Sequence, residues 1–316
     1  MTPSYGAPWW LPGGHLQTIY AALRPPARPE LRRERWESPD GDFVDVDFAG
    51  EPTCGRLLVL FHGLEGCSDS HYARALAGYA AARGWRVAIP HWRGCSGEPN
   101  RLPRAYHSGD SDEVDWLLKK LHSIESNLYA VGVSLGGNAL LKWLGERGEG
   151  ARTIVRRAAA VSAPIDLAAA GDALDRGLNR LVYTRMFLST LKPKSLAKLE
   201  VFPGLYDAAR VRAARSFREF DHLVTAPLHG FSGVDDYWER ASSGPWLGRI
   251  RVPTLLLNAR NDPFLPEHAL LAAARKASAD VVLEFPRTGG HAGFVSGPFP
   301  GRTQWLPQRL LQFLET

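Results

Sequence analysis

The sequence predicts an α/β fold in which a mostly parallel central sheet is flanked by helices and interrupted by an inserted helical cap. Three observations carry this expectation. Short apolar runs alternate with amphipathic helical patterns across residues 56–147, the alternation lapses over residues 163–250, and it resumes from residue 254. Apolar runs separated by amphipathic stretches are the pattern of βαβ units, whose strands are covered on both faces and so read as almost continuously apolar.

In chain order, Phe43, Val44, Val46 and Phe48 within residues 42–48 suggest an antiparallel edge strand ahead of the parallel part. Residues 56–61 read as the first parallel strand. Residues 70–83 follow as a helix, because Ala73, Leu76, Ala77 and Ala80 recur at helical spacing. A strand over 85–89, a helix near 110–121, a strand over 128–133, a helix over 136–147 and a buried strand over 158–162 continue the series. Residues 163–250 are rich in aromatics and prolines, including Tyr183, Phe187, Phe202, Tyr206, Phe217, Phe220 and Tyr237, and read as the inserted cap. The rhythm returns with a strand over 254–258, a helix over 266–276, a last strand over 281–285 and a closing helix over 305–314. A length of 316 residues suits one elaborated domain, residues 1–316, with residues 1–40 as an N-terminal arm.

Composition narrows the function classes. The formal charge is +5 and the pI about 9.2, but the 38 basic residues are scattered among 33 acids, whereas a nucleic-acid reader clusters them on one face. The densest basic run, 28–35 with Arg32, Arg33 and Arg35, reads as a solvated face rather than a membrane or partner contact. Cys54, Cys67 and Cys95 form no CxxC pair and no even disulfide framework, which fits a reducing cytoplasm. The first 16 residues lack the basic and apolar regions of a signal peptide, and no window approaches the ~18 apolar residues of a membrane span. The expectation is a soluble protein whose only membrane contact would be peripheral.

Ser134 lies where an apolar run ends and a helical run, Ala139-Leu140-Leu141, begins, in Gly132-Val133-Ser134-Leu135-Gly136. Glycines on both sides allow a tight strand-turn-helix elbow that thrusts the hydroxyl out at the carboxyl end of the sheet. A serine hydroxyl needs a base to remove its proton, normally a histidine held by a carboxylate. His291 follows the last strand in a glycine-rich loop, Thr288-Gly289-Gly290-His291-Ala292-Gly293, on the same sheet edge. His268 falls in a helix, His222 and His229 in the cap, and His15 far upstream. Asp262, after the strand over 254–258, gives the order Ser134, Asp262, His291, which matches nucleophile, acid and base in the α/β-hydrolase fold. Its competing role is a turn or helix-capping aspartate. Asp166, after the strand over 158–162, is the alternative acid, and Asp235 and Asp236 in the cap are weaker ones.

Two backbone donors are expected for the oxyanion: the N–H of Leu135, directly after the serine, and that of Leu64 in His62-Gly63-Leu64-Glu65-Gly66. His62 is expected to shape that loop. His107 and Asp112 match an H-x4-D acyltransferase spacing, but Asp110, Asp112 and Glu113 are better explained as charge at a helix N-terminus. No histidine or cysteine cluster has metal-ligand spacing and no glycine-rich nucleotide loop follows a strand, so neither metal nor cofactor is expected.

Further motifs narrow the family. Pro8-Trp9-Trp10-Leu11-Pro12-Gly13-Gly14-His15-Leu16-Gln17-Thr18-Ile19 resembles the N-terminal signature of the YheT-like hydrolases, a family that includes the mammalian abhydrolase-domain lipid hydrolases. His62-Gly63-Leu64-Glu65-Gly66, Trp92-Arg93-Gly94-Cys95-Ser96-Gly97, Tyr106-His107-Ser108-Gly109 and Gly132-Val133-Ser134-Leu135-Gly136-Gly137-Asn138 follow in that family's order. The resemblance implies Ser134, Asp262 and His291 as the triad and carboxylic-ester hydrolysis, with eukaryotic relatives acting on lipids. The membrane anchor of several such relatives is not expected here. The expected substrate is a small-molecule or lipid-like ester, bound in an apolar pocket under the cap that Phe187, Leu188 and Leu191 would help to line. The rival expectations are acyl transfer to an alcohol or thiol on the same fold, and a non-catalytic binding protein.

Overall fold

The computed structural model describes residues 4–316. Its centre is an eight-stranded sheet: β1 (Arg32–Glu37), β2 (Phe43–Ala49), β3 (Leu57–Phe61), β4 (Arg86–Pro90), β5 (Leu128–Val133), β6 (Arg157–Val161), β7 (Thr254–Leu257) and β8 (Val281–Glu284). The spatial order is β1-β2-β4-β3-β5-β6-β7-β8; β3 to β8 run parallel, and β1 and β2 join antiparallel at the β4 side.

The two-residue period of the strands sorts their side chains onto two cores. Leu57, Val59 and Phe61 face one side with Val114, Leu117, Leu118 and Leu121 of α3 (Ser111–Ile124) and Leu140, Leu141 and Leu144 of α4 (Leu135–Arg147). Leu58, Leu60, Val131 and Val133 face the other with Ala73, Leu76, Ala77 and Ala80 of α2 (His71–Ala81) and Leu306, Leu310, Leu311 and Leu314 of the closing helix, Trp305–Glu315. Helices Leu167–Leu174, Arg185–Val201 and Val234–Ala241 occupy the long excursion between β6 and β7.

The N-terminal part departs from expectation. Residues expected as an arm form α1 (Gly14–Leu23) and β1, so the strand over 42–48, β2, is antiparallel but is not the edge. The basic run is not simply a solvated face either. The β1–β2 register sets Arg33 opposite Asp47 and Arg35 opposite Asp45, and each guanidinium forks onto its carboxylate at 2.7–2.9 Å. Cross-strand ion pairs of this geometry let β2 bury every residue, aspartates included.

Asp47 is also reached by Ser68 Oγ (2.6 Å) and His91 Nε2 (2.8 Å), which ties the loops after β3 and β4 to the antiparallel edge. Burial alone would raise its pKa, but the hydrogen bonds from Arg33, His91 and Ser68 outweigh burial and hold the carboxyl far below the usual carboxylate range. A carboxyl depressed on folding stabilises the protein fully above its unfolded value of about 3.9 and loses that contribution as pH falls below it. Asp47→Asn should cost about 2 kcal/mol at pH 7 in denaturant titration and give a shallower loss of stability below about pH 4 than the parent chain.

Candidate active site

The site begins at the junction of β5 and α4. Ser134 has φ +55° and ψ −123°, a region that costs a non-glycine residue about 1–3 kcal/mol. It is held there by its N–H donating to Val161 O (2.9 Å) and its carbonyl accepting from Asn138 N (3.0 Å). The flanking glycines have a steric cause. A Cβ on Gly132 would collide with the Gly136 carbonyl oxygen, and a Cβ on Gly136 with that of Phe61 at the end of β3. Asn138, one turn into α4 and fully buried, donates to Ser108 O and Ala241 O and accepts from Ser243 N. The sequence reading placed Asn138 in a motif without a role; its hydrogen bonds join the elbow helix to two loops.

His291 Nδ1 lies 2.9 Å from Asp262 Oδ2 and 3.1 Å from Oδ1, and Asp262 is buried. An ionised carboxylate only accepts, so Nδ1 carries the proton and Nε2 is left as the acceptor. Asp262 Oδ1 also takes the Phe264 N–H (2.8 Å), and the Phe264 ring stacks on the imidazole at 4.0 Å.

The loop bearing His291 is clamped by residues that sequence reasoning did not place in the site. Thr18 Oγ1 accepts His291 N–H (2.8 Å), Gln17 Oε1 accepts Gly289 N–H (2.8 Å), and Asn261 Oδ1 accepts Gly290 N–H (3.0 Å). His71 Nε2 pairs with Ala292 O at 2.9 Å, and Ser162 Oγ accepts Ala292 N–H. The conspicuous N-terminal motif was the available signal: Gln17 and Thr18 are buried polar residues of α1, and their partners are the loop of the candidate base.

The loop after β3 forms the facing wall. His62 is buried, accepts Trp92 N–H on Nε2 and donates from Nδ1 to Gly63 O, the structural role expected. Burial pulls its pKa down to about 3, so it stays neutral. Gly63 N–H goes to Tyr72 OH and Glu65 N–H to Tyr106 OH. Leu64, between them, lines the same cavity as Ser134, Leu135 and His291. A Cβ on Gly63 would lie 3.0 Å from that of Ser134.

That cavity holds about 950 Å³. Its apolar wall includes Leu167, Phe187, Leu191, Phe217, Trp238 and Phe264. Phe187 and Leu191 thus line it as expected, whereas Leu188 packs with Val211, Phe220 and Val224 in a separate cluster. Lys194 and Lys198 enter from helix Arg185–Val201. Lys194 Nζ pairs with Glu65 at 2.8 Å, and burial draws the Lys198 ammonium down to about 8.

The other candidates fall elsewhere. Asp166 caps helix Leu167–Leu174 through Ala169 N–H. Asp235 pairs with Arg218, and Asp236 with Arg240. His107 accepts Gly109 N–H and packs against His229 at 4.5 Å, while Asp112 is exposed; Asp110 caps α3. Glu113 is not mere helix-terminal charge: it is buried in a forked pair with Arg93. His268 is exposed on helix Glu267–Ala274, and His15 stacks on Tyr183.

A family model described as the alpha/beta hydrolase fold matches residues 56–298. The chain is 39% identical over 310 residues to a putative esterase, YheT, of Escherichia coli, with 96% of this chain and 90% of that protein covered. It is 28% identical to human phospholipase ABHD3, covering 100% of this chain and 79% of the relative. It is also 28% identical to the monoacylglycerol lipase of Saccharomyces cerevisiae, at 90% and 63% coverage. Among solved structures, an esterase from Exiguobacterium antarcticum superposes with a TM-score of 0.59 at 16% identity, over 90% of this chain and all of that one, a likeness of fold. No helix among the described residues is long and apolar enough to cross a membrane. With its parallel sheet, its strained elbow and a relative of this identity over almost the whole chain, the protein belongs to the α/β-hydrolase fold family, in the YheT-like branch.

Proposed function

We propose that the chain hydrolyses carboxylic esters, with Ser134 as nucleophile, His291 as base, Asp262 as the carboxylate that orients it, and the N–H groups of Leu64 and Leu135 as the oxyanion site. The observation that carries this reading is the pairing of His291 Nδ1 with buried Asp262 in the wall of an apolar cavity that Ser134 also lines. Names of the relatives, esterase, phospholipase and monoacylglycerol lipase, support it.

In this reading His291 Nε2 takes the Ser134 proton as Oγ adds to the ester carbonyl. The carbonyl oxygen becomes an oxyanion facing the two N–H groups, and the imidazolium returns its proton to the departing alcohol. Water, deprotonated by His291, then adds to the acyl-serine, and collapse releases the acid and restores the hydroxyl. Asp262 keeps the proton on Nδ1 throughout and stabilises the imidazolium. Residues 163–250 serve as the cap of a single domain, 1–316, whose arm, 1–40, braces the base loop. The substrate is a small-molecule or lipid-like ester whose acyl chain occupies the cavity. Three free cysteines support placing the enzyme in a reducing cytoplasm.

Ser134→Ala should lower hydrolysis of p-nitrophenyl butyrate on the order of 10³-fold or more while unfolding cooperatively, and an unchanged rate overturns the assignment. Asp262→Asn should cost about 10⁴-fold in kcat. Asp166→Ala should leave kcat near the parent value and cost about 1 kcal/mol of stability through the lost cap, so exchanged outcomes would move the acid to Asp166.

Along a series of p-nitrophenyl esters of rising chain length, kcat/KM should climb about two- to fourfold per methylene until the cavity is full, the limit set by about 0.8 kcal/mol per buried CH₂. A flat series would remove the cavity as the acyl site.

A further inference from the structure

Among the acid-free runs of the chain are residues 1–29 and residues 176–199. The fold brings them together. His15, in the first turn of α1, bonds the Tyr183 hydroxyl through Nδ1 at 3.1 Å and stacks on its ring with an interplanar angle of 12°.

On the second stretch Leu178, Leu181, Val182 and Met186 are exposed to 54%, 70%, 36% and 51%. They lie on one continuous helical run, made of Gly177–Asn179, the π-helical turn Arg180–Thr184 and helix Arg185–Val201, and share its exposed face with Arg185. This face points outward, because Tyr183 and Leu188 of the same helical run are buried and Phe187 and Leu191 line the cavity. Among the described residues, neither exposed Arg185, within this face, nor exposed Arg180, beside it, has a carboxylate in ion-pairing contact, although Arg180 acts electrostatically on Asp175. Helix α1, which His15 ties to Tyr183, adds Leu16, exposed to 52%.

We propose that this face docks the protein on an anionic lipid surface, with the leucines, Val182 and Met186 entering the headgroup boundary and Arg180 and Arg185 meeting lipid phosphates. An exposed apolar helical face that carries arginine is the chemistry of a helix that lies in a membrane interface. A second copy of the chain suits it less well, since a two-fold contact would set Arg180 and Arg185 against their own copies with no carboxylate to meet them. The basic run at 28–35 does not supply this surface, because Arg33 and Arg35 are engaged by Asp47 and Asp45. Helix Arg185–Val201, which carries the end of this face, is also a wall of the cavity through Phe187, Leu191 and Val201. Docking therefore sets the cavity beside the lipid.

The test is co-sedimentation of the full chain with vesicles of phosphatidylcholine alone and of phosphatidylcholine with 30% phosphatidylglycerol. Partitioning should be on the order of tenfold stronger on the anionic vesicles and should fall in 0.5 M NaCl. The double variant Leu181→Glu, Met186→Glu should lose at least about tenfold in binding while hydrolysing a soluble short-chain ester at the parent rate, which shows it folded. Arg180→Gln with Arg185→Gln should erase the preference for anionic lipid. Ser134→Ala should bind as the parent does, so failure of the ester reading and failure of the docking face are separate results. No binding to either vesicle, binding indifferent to these variants, or a dimer in sedimentation equilibrium that the Glu variant dissociates would each overturn the proposal.

Discussion

The close seating of α4 against the carboxyl ends of β3 and β5 is the constraint on which the site depends. Gly132 and Gly136 leave no room for a methyl group, so helix and strands meet backbone to backbone. Only that approach allows the chain to turn within one residue, and the turn forces Ser134 to a positive φ. The strain, about 1–3 kcal/mol, persists because two backbone hydrogen bonds and a packed helix over-determine it. The loop after β3 also stands so close that a Cβ on Gly63 would lie 3.0 Å from that of Ser134.

A second backbone contact sets the other half. Gly290 and Gly293 pack so tightly against Gly14 and Gln17 of α1 that a Cβ on either would collide with a main-chain oxygen. Glycine-rich loops have high conformational entropy, and a histidine on one would sample many orientations. Here the side chains of Gln17, Thr18 and Asn261 accept the successive N–H groups of residues 289–291, satisfying donors that burial would otherwise leave unpaired. Helix α1 thus acts as a splint for a residue some 270 positions later in the chain.

This division explains what was legible in the sequence. The parallel strands announce themselves because both faces are apolar, and the order of Ser134, Asp262 and His291 follows from their places after β5, β7 and β8. β1 was not legible. Its sequence, RRERWE, has no alternation of apolar and polar residues, and it is a strand because Arg33 and Arg35 find Asp47 and Asp45 across the ladder. β2 shows its apolar residues in the sequence, but a strand held by charge pairing across the ladder, as β1 is, carries no apolar period of its own. Gln17 and Thr18 were conspicuous as a motif, but their function lies in contacts of long sequence separation that local pattern cannot display. Leu188 was misplaced for a simpler reason: adjacent helix positions differ by 100°, so Phe187 and Leu188 cannot both face the cavity.

The two kinds of support divide the labour between precision and variety. The groups proposed to touch the reacting ester lie in the loops and the elbow that follow β3, β5 and β8, and the strands are locked by a continuous parallel ladder from β4 to β8. Most of the apolar cavity wall comes instead from the helices between β6 and β7, which pair with no strand and meet the loops around the sheet through side chains, as Lys194 meets Glu65 and Lys198 meets Asn100. A rigid frame can hold hydrogen bonds within tenths of an ångström, whereas a helical excursion can change its side chains without disturbing the ladder. In the proposed reading, substrate choice and surface attachment therefore reside in the helical excursion, and the acyl-transfer geometry in the loops that follow the parallel strands.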